Sequence, residues 1–541
     1  MLILLQWTFF FFASQLFFPV VHGQCREATL EECWRTNTIP GYNLAGEGFD
    51  VTTLKRKGAY IISMDDVENS ANSTCILCRN PLLGGQRQWL PQAIGGWQVF
   101  PKCSINLASV LYESSTDLAE AFSSSIQNDW TVGLGVKKKV SINVVVAGSQ
   151  SQLSQFAMKK STQDRFSFVT QEIVCKQYRY HIRDHPTLKP QFVERLRSLP
   201  TIYNNQTRTR YDSLINIYGT HYIQQVELGG RVRAVTALRT CEISLDQLSD
   251  HEVKECLGME ASINLFGLSS TSASQRCNTI KQNVLSKRNF SARFSDRRIE
   301  VVGGDISLHT DLFFSSSKTQ ESFRFWASNL SSLPDVISYS LVPLHELIPD
   351  TEPTRKHLQR AITDYILKRA VAQQCLRCPT GGWFSQHTRC KCKCQPTSQS
   401  TSSCCSRRRG LSSFSVTIHR SEGLKGDPWP NPSDGYVKVF IGAKMRRTRT
   451  IMNQNNPRWN EKLDFGELLL TPQLQLRVEV WDKDIKWDDL LGSCWRSIFA
   501  TARDREERCY FRHGNIYFSF KATCSHQLSG PYCRDYTPPR N

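Results

Sequence analysis

The chain has 541 residues, of which 40% are hydrophobic and 21% are charged, and its formal net charge is +18. This length predicts two to four domains, and the composition excludes intrinsic disorder for most of the chain. The excess of positive charge is compatible with a merely solvated surface or with attraction to anionic partners, either membranes or polyanions.

The first 23 residues, MLILLQWTFFFFASQLFFPVVHG, are apolar and end in small or neutral residues. Polar residues interrupt the run, which favours a cleaved signal peptide (1–23) over a membrane anchor. No later run of about 18 apolar residues occurs, so no spanning helix is predicted. We therefore expect a secreted protein, with no nucleic acid as a partner.

The chain contains 20 cysteines, and such an even number in an exported protein predicts disulfide bonds. Cys75/Cys78 and Cys375/Cys378 also have a spacing that suits zinc, but export and the total count favour disulfides. Three Asn-x-Ser/Thr sequons are candidate glycosylation sites compatible with export, namely Asn72, Asn205 and Asn329.

Residues 24–370 mix helical and strand patterns. A helix is predicted over RYDSLINIYG, ending at Gly219, and a strand should follow it. His221 is by itself typical of a hydrogen-bonded core histidine. Gly229 and Gly230 would permit a bend that a side chain would block.

The stretch YGTHYIQQVELGG (218–230) nevertheless matches the signature of the membrane attack complex/perforin family. The matching positions are Tyr218, Gly219, Thr220, His221, Gly229 and Gly230. AGEGFDVT (45–52), NDWTVGL (128–134), RAVTALRTCE (233–242) and EVVGGD (300–305) agree with the same family. The resemblance covers about residues 24–370 and implies an α+β domain with a bent antiparallel sheet and two helical clusters.

The family also implies a mechanism. Its members assemble as rings on membranes, and both helical clusters of each subunit unfurl into transmembrane β-hairpins, which alternate apolar and polar residues. Three segments show that alternation, namely 137–147, 259–268 and the shorter 290–294. The apolar face contains Val140, Ile142, Val144 and Val146 in the first segment and Ala261, Ile263 and Leu265 in the second. By pattern alone, ordinary soluble sheet is favoured, and the family resemblance reverses that preference. A further sequon, Asn289, lies at the segment 290–294, where a glycan would oppose insertion.

A helix is predicted over 353–371, with Leu358, Ile362, Ile366 and Ala370 on one face. Residues 371–409 then form a separate module, because seven cysteines fall within 375–405. So short a segment cannot bury a core and needs disulfides. It resembles an epidermal-growth-factor-like module.

Residues 410–525 alternate apolar and polar side chains in several short runs, such as SFSVTIH, GYVKVFIG, LQLRVEVW and IYFSFKA. Seven or eight strands in about 115 residues predict a β-sandwich. A tail, 526–541, follows.

Two loops of this sandwich are acidic. Asp427 and Asp434 follow the first strand, and Asp482 and Asp484 follow LQLRVEV. Asp favours turns, so each residue alone is typical of a solvated loop. Together, at one end of a sandwich, they would supply the hard oxygen ligands that calcium prefers.

The region 411–524 resembles a C2 domain, a family whose loops bind calcium and then phospholipid. The resemblance extends the candidate calcium ligands to Asp427, Asp434, Asp482, Asp484 and Asp489, with Asp488 as a sixth candidate. The first loop is one residue longer than the family pattern and the second one shorter, so the ligand set stays open. Trp429 and Trp487 lie on these loops, and we expect membrane contact from both rather than packing within the loop.

The sequence therefore predicts a secreted, calcium-dependent pore-forming protein that binds membrane phospholipid, forms a homo-oligomeric ring and passes co-delivered proteins. Storage in acidic cytolytic granules would precede its release. A complement-type component of a mixed pore and a non-lytic calcium-dependent adhesion protein remain alternatives. An enzyme is not expected, because G-x-S-x-G, H-E-x-x-H and phosphate-binding glycine motifs are absent from the sequence.

Overall fold

The computed structural model describes residues 24–64, 74–100, 107–138, 144–267, 275–280, 290–305, 312–314, 319–372, 375–379, 381–385, 391–426 and 432–538. The predicted signal peptide and the sequons at Asn72 and Asn289 lie outside these residues.

The strands before residue 373 are β1 (Cys25–Thr29), β2 (Glu47–Asp50), β3 (Lys55–Tyr60), β4 (Thr74–Asn80), β5 (Gln86–Leu90), β6 (Ile94–Val99), β7 (Ala108–Tyr112), β8 (Val144–Val145), β9 (Phe166–Ile182), β10 (His221–Arg239), β11 (Arg297–Val302), β12 (Asp335–Pro343) and β13 (Val371–Ala372). The α-helices are α1 (Leu30–Trp34), α2 (Ser115–Phe122), α3 (Gln152–Gln163), α4 (Pro190–Arg197), α5 (Arg208–Tyr218), α6 (Thr240–Leu245), α7 (Asp250–Phe266), α8 (Phe290–Arg293), α9 (Thr319–Asn329) and α10 (Pro353–Arg369). Short 3-10 turns span Leu44–Gly46, Pro81–Leu83, Ser123–Ser125, Val136–Lys138 and Leu344–Leu347.

Two long antiparallel strands, β9 and β10, form the centre of the main sheet. On its other edge β10 pairs in turn with β2, β12 and β11, and β9 pairs with β6 and β7. The register of β9 and β10 shifts between Leu228 and Gly229, which marks a β-bulge. The α+β class and the antiparallel sheet are thus confirmed.

Helices cover this sheet on both faces because successive strand side chains point to opposite sides. Val235 and Ala237 of β10 pack with α2 and α3 through Phe122 and Ala157. Ala234, on the other face of β10, packs with Ala261 and other side chains of α7 and α9. The chain therefore holds two helical clusters against opposite faces of the same strands.

The remaining strands are β14 (Gly382–Phe384), β15 (Cys392–Cys394), β16 (Leu411–Glu422), β17 (Gly435–Ile441), β18 (Lys444–Arg447), β19 (Arg458–Leu469), β20 (Gln475–Asp482), β21 (Asp489–Ser497), β22 (Arg505–Phe511), β23 (Gly514–Cys524), β24 (Leu528–Ser529) and β25 (Asp535–Tyr536). Two four-stranded sheets, ordered β19-β16-β23-β22 and β18-β17-β20-β21, pack face to face. Phe414, Val416 and Ile418 of β16 are buried in the core between them. The predicted β-sandwich is confirmed.

The predicted helices also form. α5 ends at Gly219, whose φ of 80° suits a residue without a side chain. In α10, Leu358, Ile362 and Ile366 are fully buried, as the helical spacing predicts. Within the described residues, no helix is both long and apolar enough to cross a membrane.

Disulfides hold the smaller parts together. Cys75 and Cys78 bond to Cys33 and Cys25, so the zinc alternative for this pair is wrong. In the cysteine-rich module, disulfides join Cys378 to Cys392 and Cys394 to Cys404, and Cys405 bonds to Cys241. This last bond fixes the module to the end of the main sheet.

Candidate functional site

Described parts of three segments of the β-sandwich meet at one end: 423–426 with 432–434, 451–457, and 482–489. Gly435, at the start of β17, pairs with Asp482 of β20 and bridges to Ile451. Asp482 also pairs with Asp489 of β21. This register brings Asp434, Asp482 and Asp489 to one end of the sandwich, as the sequence predicts.

Asp482 lies at the centre of this end and is only 1% exposed. Its Oδ1 accepts a hydrogen bond from the backbone N–H of Asp434, at 2.6 Å. Gly426 lies directly against the same carboxylate, since a Cβ at Gly426 would stand 1.6 Å from Asp482 Oδ2. The absence of a side chain at residue 426 thus allows the first loop to approach this carboxylate, a feature that we did not predict.

The third segment, 451–457, orders the first loop and was also missed by sequence reasoning. The backbone N–H of Asn453 donates to Asp434 Oδ1 at 2.7 Å, and Asn455 Oδ1 accepts from the N–H of Ser433 at 3.0 Å. The NQNNP run signals only a turn in the sequence. Its contacts with Asp434 fix where that carboxylate points.

Asp488 has a different environment. Its Oδ2 accepts a hydrogen bond from the Tyr436 hydroxyl at 2.6 Å, and its Oδ1 accepts one from the N–H of Asp484 at 3.3 Å. The Tyr436 hydroxyl lowers the pKa of the Asp488 carboxyl, so the side chain stays ionised. In this arrangement Asp488 closes the second loop by bonding to its backbone.

The tip of the second loop is apolar and exposed. Trp487 is 84% exposed, and Ile485, two residues earlier, is fully exposed. Lys483 and Lys486 are exposed beside them. The sequence analysis identified Trp487 but missed Ile485. Large apolar side chains seldom project into water in this way, whereas a membrane interface accommodates them next to lysines.

Carboxylate oxygens are the ligands that calcium requires, so the donor chemistry fits. Within the described residues, no three His, Cys, Asp or Glu side chains converge to hold a metal. Asp427 and Trp429 lie outside those residues. The calcium ligands and the role of Trp429 therefore stay predictions.

The signature residues 218–230 form a close-packed junction. His221 is buried, and its ring nitrogens hydrogen-bond to Thr220 Oγ1 at 2.7 Å and to the Trp130 carbonyl at 3.1 Å. Burial lowers the pKa of His221 to about 4, so the ring is neutral. The interpretation as a hydrogen-bonded core histidine fits this geometry.

The two glycines of the signature permit close approach. A Cβ at Gly229 would stand 1.9 Å from the Cys175 carbonyl oxygen, and one at Gly230 would stand 2.5 Å from the Trp326 ring. Gly303 lies at the same place, with its carbonyl accepting from Trp326 Nε1 at 3.0 Å. The glycines thus admit a neighbouring strand and a tryptophan at the β-bulge after Leu228, where the sequence predicts a bend that a side chain would block.

The described parts of the predicted hairpin segments are not hairpins in this structure, and Phe290–Arg293 forms α8. Residues 259–266 belong to α7, where Ala261 and Leu265 are buried and Ile263 is 38% exposed. Val144 lies in the two-residue strand β8, and Val146 follows it partly buried. Val140 and Ile142 lie outside the described residues. A disulfide joins Cys256 of α7 to Cys277.

Two of the candidate glycosylation sites are described. Asn205 is exposed in the loop before α5. Asn329 ends α9 half-buried, and its Nδ2 donates to the Phe325 carbonyl at 3.0 Å.

Comparison with known proteins agrees with this architecture. The MAC/Perforin domain model matches residues 39–376, and the C2 domain model matches residues 412–512. The chain is 38% identical to mouse Perforin-1 over 525 residues, which cover 96% of this chain and 94% of that protein. It is 39% identical to human Perforin-1 over 521 residues, covering 95% and 93%. It is 26% identical over 302 residues to the complement component C8 beta chain of Paralichthys olivaceus, covering 54% and 48%. The chain belongs to the MAC/Perforin domain family and carries a C2 domain after the family domain.

Proposed function

We propose that this protein is a secreted, calcium-dependent pore-forming cytolysin. The observation that carries the proposal is the pairing of two features in one chain. One is a sandwich end that presents the exposed Ile485 and Trp487 beside clustered carboxylates. The other is a family domain whose sheet carries helical clusters on both faces.

Membrane attachment would come first. Calcium bound by carboxylates drawn from Asp427, Asp434, Asp482, Asp484, Asp488 and Asp489 would neutralise the loops. The tip could then approach anionic phospholipid, with Lys483 and Lys486 attracting headgroups. Trp487, Ile485 and Trp429 would enter the interface.

Ring assembly should precede insertion. Each hairpin in lipid must satisfy every backbone N–H and C=O, and only closure of a ring does so. In water, α7 hides Ala261 and Leu265 against the sheet. As a strand, the same segment would turn Ala261, Ile263 and Leu265 toward lipid. The segment around Val144 would form the other hairpin.

A homo-oligomer is favoured over a component of a mixed pore. Similarity to the Perforin-1 sequences extends over 96% of this chain, whereas similarity to the C8 beta chain covers 54%. We further propose release from acidic granules and passage of co-delivered proteins through the pore. Protons compete with calcium for carboxylates, which would keep the stored protein inactive.

The experiment is release of a dye from liposomes by the purified mature protein, with calcium or with a chelator. Rapid release in calcium alone, without added proteins, is the expected result. Binding without release would instead indicate the non-lytic adhesion protein. Release only after addition of complement proteins would indicate the mixed pore.

A further inference from the structure

A cavity of about 1110 Å³ lies between α3 and the strands β3, β11 and β12. One side of α3 forms a wall, contributed by residues at helical spacing such as Gln152, Phe156, Lys159 and Gln163. The residues considered above as membrane or calcium contacts lie elsewhere, so the proposed function leaves this cavity unexplained. Its volume suits a small, compact ligand.

The lining of the cavity is strongly basic. Among the described residues that line it, eight are Lys or Arg and three are Asp or Glu. Cations at such density repel one another and are stabilised by an anion among them. The distribution of the charges decides which of them remain available to a ligand.

Arginine and glutamate side chains of β10 and β11 form the floor of the cavity, and their charges and that of a glutamate of β9 neutralise one another. Arg233 pairs with Glu172 at 2.8 Å, and Arg231 lies 4.0 Å from Glu172 and 3.7 Å from Glu300. These residues face one another because Arg233 is in register with Glu172 of β9 and Glu300 of β11. The floor therefore contributes little net charge.

The rim differs from the floor. Lys159 of α3, Lys55 of β3 and Arg298 of β11 all line the cavity and are exposed. In the part of the chain that the structure describes, no ion pair involves any of these three side chains. Arg298 lies in register with Val235 of β10, which is on the face covered by α3, so it points to the same side. Across the same gap, Lys160 Nζ of α3 pairs with Asp296 at 2.6 Å.

We propose that this cavity binds a small multivalent anion bearing several phosphate or sulfate groups, held by Lys55, Lys159 and Arg298. Charge-assisted hydrogen bonds from ammonium and guanidinium groups are the contacts that such oxyanions require. The three cations stand on three separate elements, so a ligand with a single charged group would satisfy only part of the rim.

Binding would also hold α3 on the sheet. Lys159 belongs to a helical cluster, whereas Lys55 and Arg298 belong to strands of the main sheet. A ligand bound to all three would therefore connect the cluster to the sheet from which it must detach during pore formation. This consequence rests on the proposed pore formation, whereas the binding itself does not. A ligand that binds only the folded, water-soluble form raises its stability by mass action.

Binding is tested first, with the full mature protein in EDTA, so that calcium plays no part. Inositol hexakisphosphate and inositol hexasulfate are titrated separately by calorimetry, and thermal unfolding is followed in parallel. We expect both probes to bind and to raise the unfolding temperature, and their relative affinities decide between phosphate and sulfate chemistry.

The double variant Lys159→Gln/Arg298→Gln should lose about tenfold in affinity for each removed cation. The matched control Lys393→Gln/Arg408→Gln removes two exposed cations of the cysteine-rich module and should bind like the unmodified protein. Both pairs are exposed, so unfolding without ligand verifies that each variant folds. Equal affinity in all three proteins, or no binding to any, overturns the site.

The lytic arm measures dye release from liposomes in calcium at a fixed free concentration, with inositol hexasulfate added. Slower release by the unmodified protein and the control, but not by the double variant, is expected. Binding of the anion with unchanged release overturns the proposed hold on α3. If the protein releases no dye at all, the proposed function fails while the calorimetric result still decides the site.

Discussion

Asp482 and Asp434 are joined across two loops, with the Asp482 carboxylate accepting the backbone N–H of Asp434 at 2.6 Å. Asp482 is the last residue of β20 and is buried. The solvated loop environment that is typical of an Asp taken alone therefore does not apply to Asp482. Truncation to alanine would leave the Asp434 N–H without its acceptor, so a calcium-site variant should keep the shape of the side chain.

We predict that Asp482→Asn/Asp484→Asn abolishes calcium-dependent liposome binding while leaving the fold intact. Asparagine retains the acceptor oxygen and removes the charge, so affinity for calcium should fall on the order of 100-fold. Liposome co-sedimentation over a calcium titration measures it. The control Asp504→Asn/Glu506→Gln removes two exposed charges elsewhere in the sandwich. Normal binding by the first variant would refute the assignment.

Removal of the apolar tip should weaken attachment and spare calcium binding. For Trp487→Ala/Ile485→Ser we expect about a tenfold or greater loss of lipid affinity, because two exposed apolar side chains can no longer enter the interface. Calorimetry should show unchanged calcium affinity. Trp34→Ala, which removes a tryptophan that is 67% exposed elsewhere, is the control. Unchanged lipid affinity in the tip variant would mean that the tip stays in water.

A disulfide can test whether the segment after residue 140 must move. Val144 of β8 is in register with Ala372 of β13, and Cα atoms of such pairs lie within the range that a disulfide spans. Val144→Cys/Ala372→Cys should bind liposomes in calcium but release no dye until a mild reductant is added. The single variant Val144→Cys, and the unmodified protein in reductant, should lyse normally. Full lysis by the oxidised double variant would show that this segment stays in place.

Substitutions at Ile263 can distinguish the helix seen in this structure from the proposed inserted hairpin. Ile263 is 38% exposed on α7, so Ile263→Asp should fold normally. In the proposed hairpin it faces lipid, where a charge costs about 2 kcal/mol in every subunit. We expect liposome binding to persist and dye release to fall at least tenfold. Ser262→Asp, on the opposite face of the hairpin, should lyse; equal lysis by both variants would contradict the hairpin.

Buried His221 makes stability depend on pH. The unfolded chain takes up this proton near the ordinary pKa of 6.5, and the folded chain only at about 4. Stability is therefore complete above pH 6.5 and declines as the pH falls toward 4, by about 2 kcal/mol between pH 7.4 and pH 5. His221→Gln should be less stable at pH 7.4 but lose less on acidification. The control His251→Gln changes an exposed histidine and should behave like the unmodified protein in denaturant titrations at both pH values. If the stability of His221→Gln falls on acidification as much as that of the unmodified protein, His221 is not the source of the pH dependence.

Much of the fold could be predicted from local pattern. Alternating residues such as Phe414, Val416 and Ile418 identify sandwich strands, because a half-buried strand needs one apolar face. Helical spacing likewise identifies α10. The sequence also predicts that Asp434, Asp482 and Asp489 lie at one end of that sandwich, and the last two lie at strand ends there.

The finer geometry of that end depends on contacts between residues far apart in the chain. In the sequence, Gly426 resembles an ordinary loop glycine, and only the structure shows that Asp482 packs against it. Asn453 and Asn455 resemble turn residues, and only the structure shows their hydrogen bonds with the first loop. No local pattern encodes these approaches.

The segment 259–266 shows where sequence pattern alone cannot decide. As a strand it would place Ala261, Ile263 and Leu265 on one face, since side chains alternate with a period of two. As a helix it places Ala261 and Leu265, four residues apart, against the sheet and turns Ile263 toward solvent. Both arrangements use the same residues, and packing against β9 and β10 selects the helix in this structure.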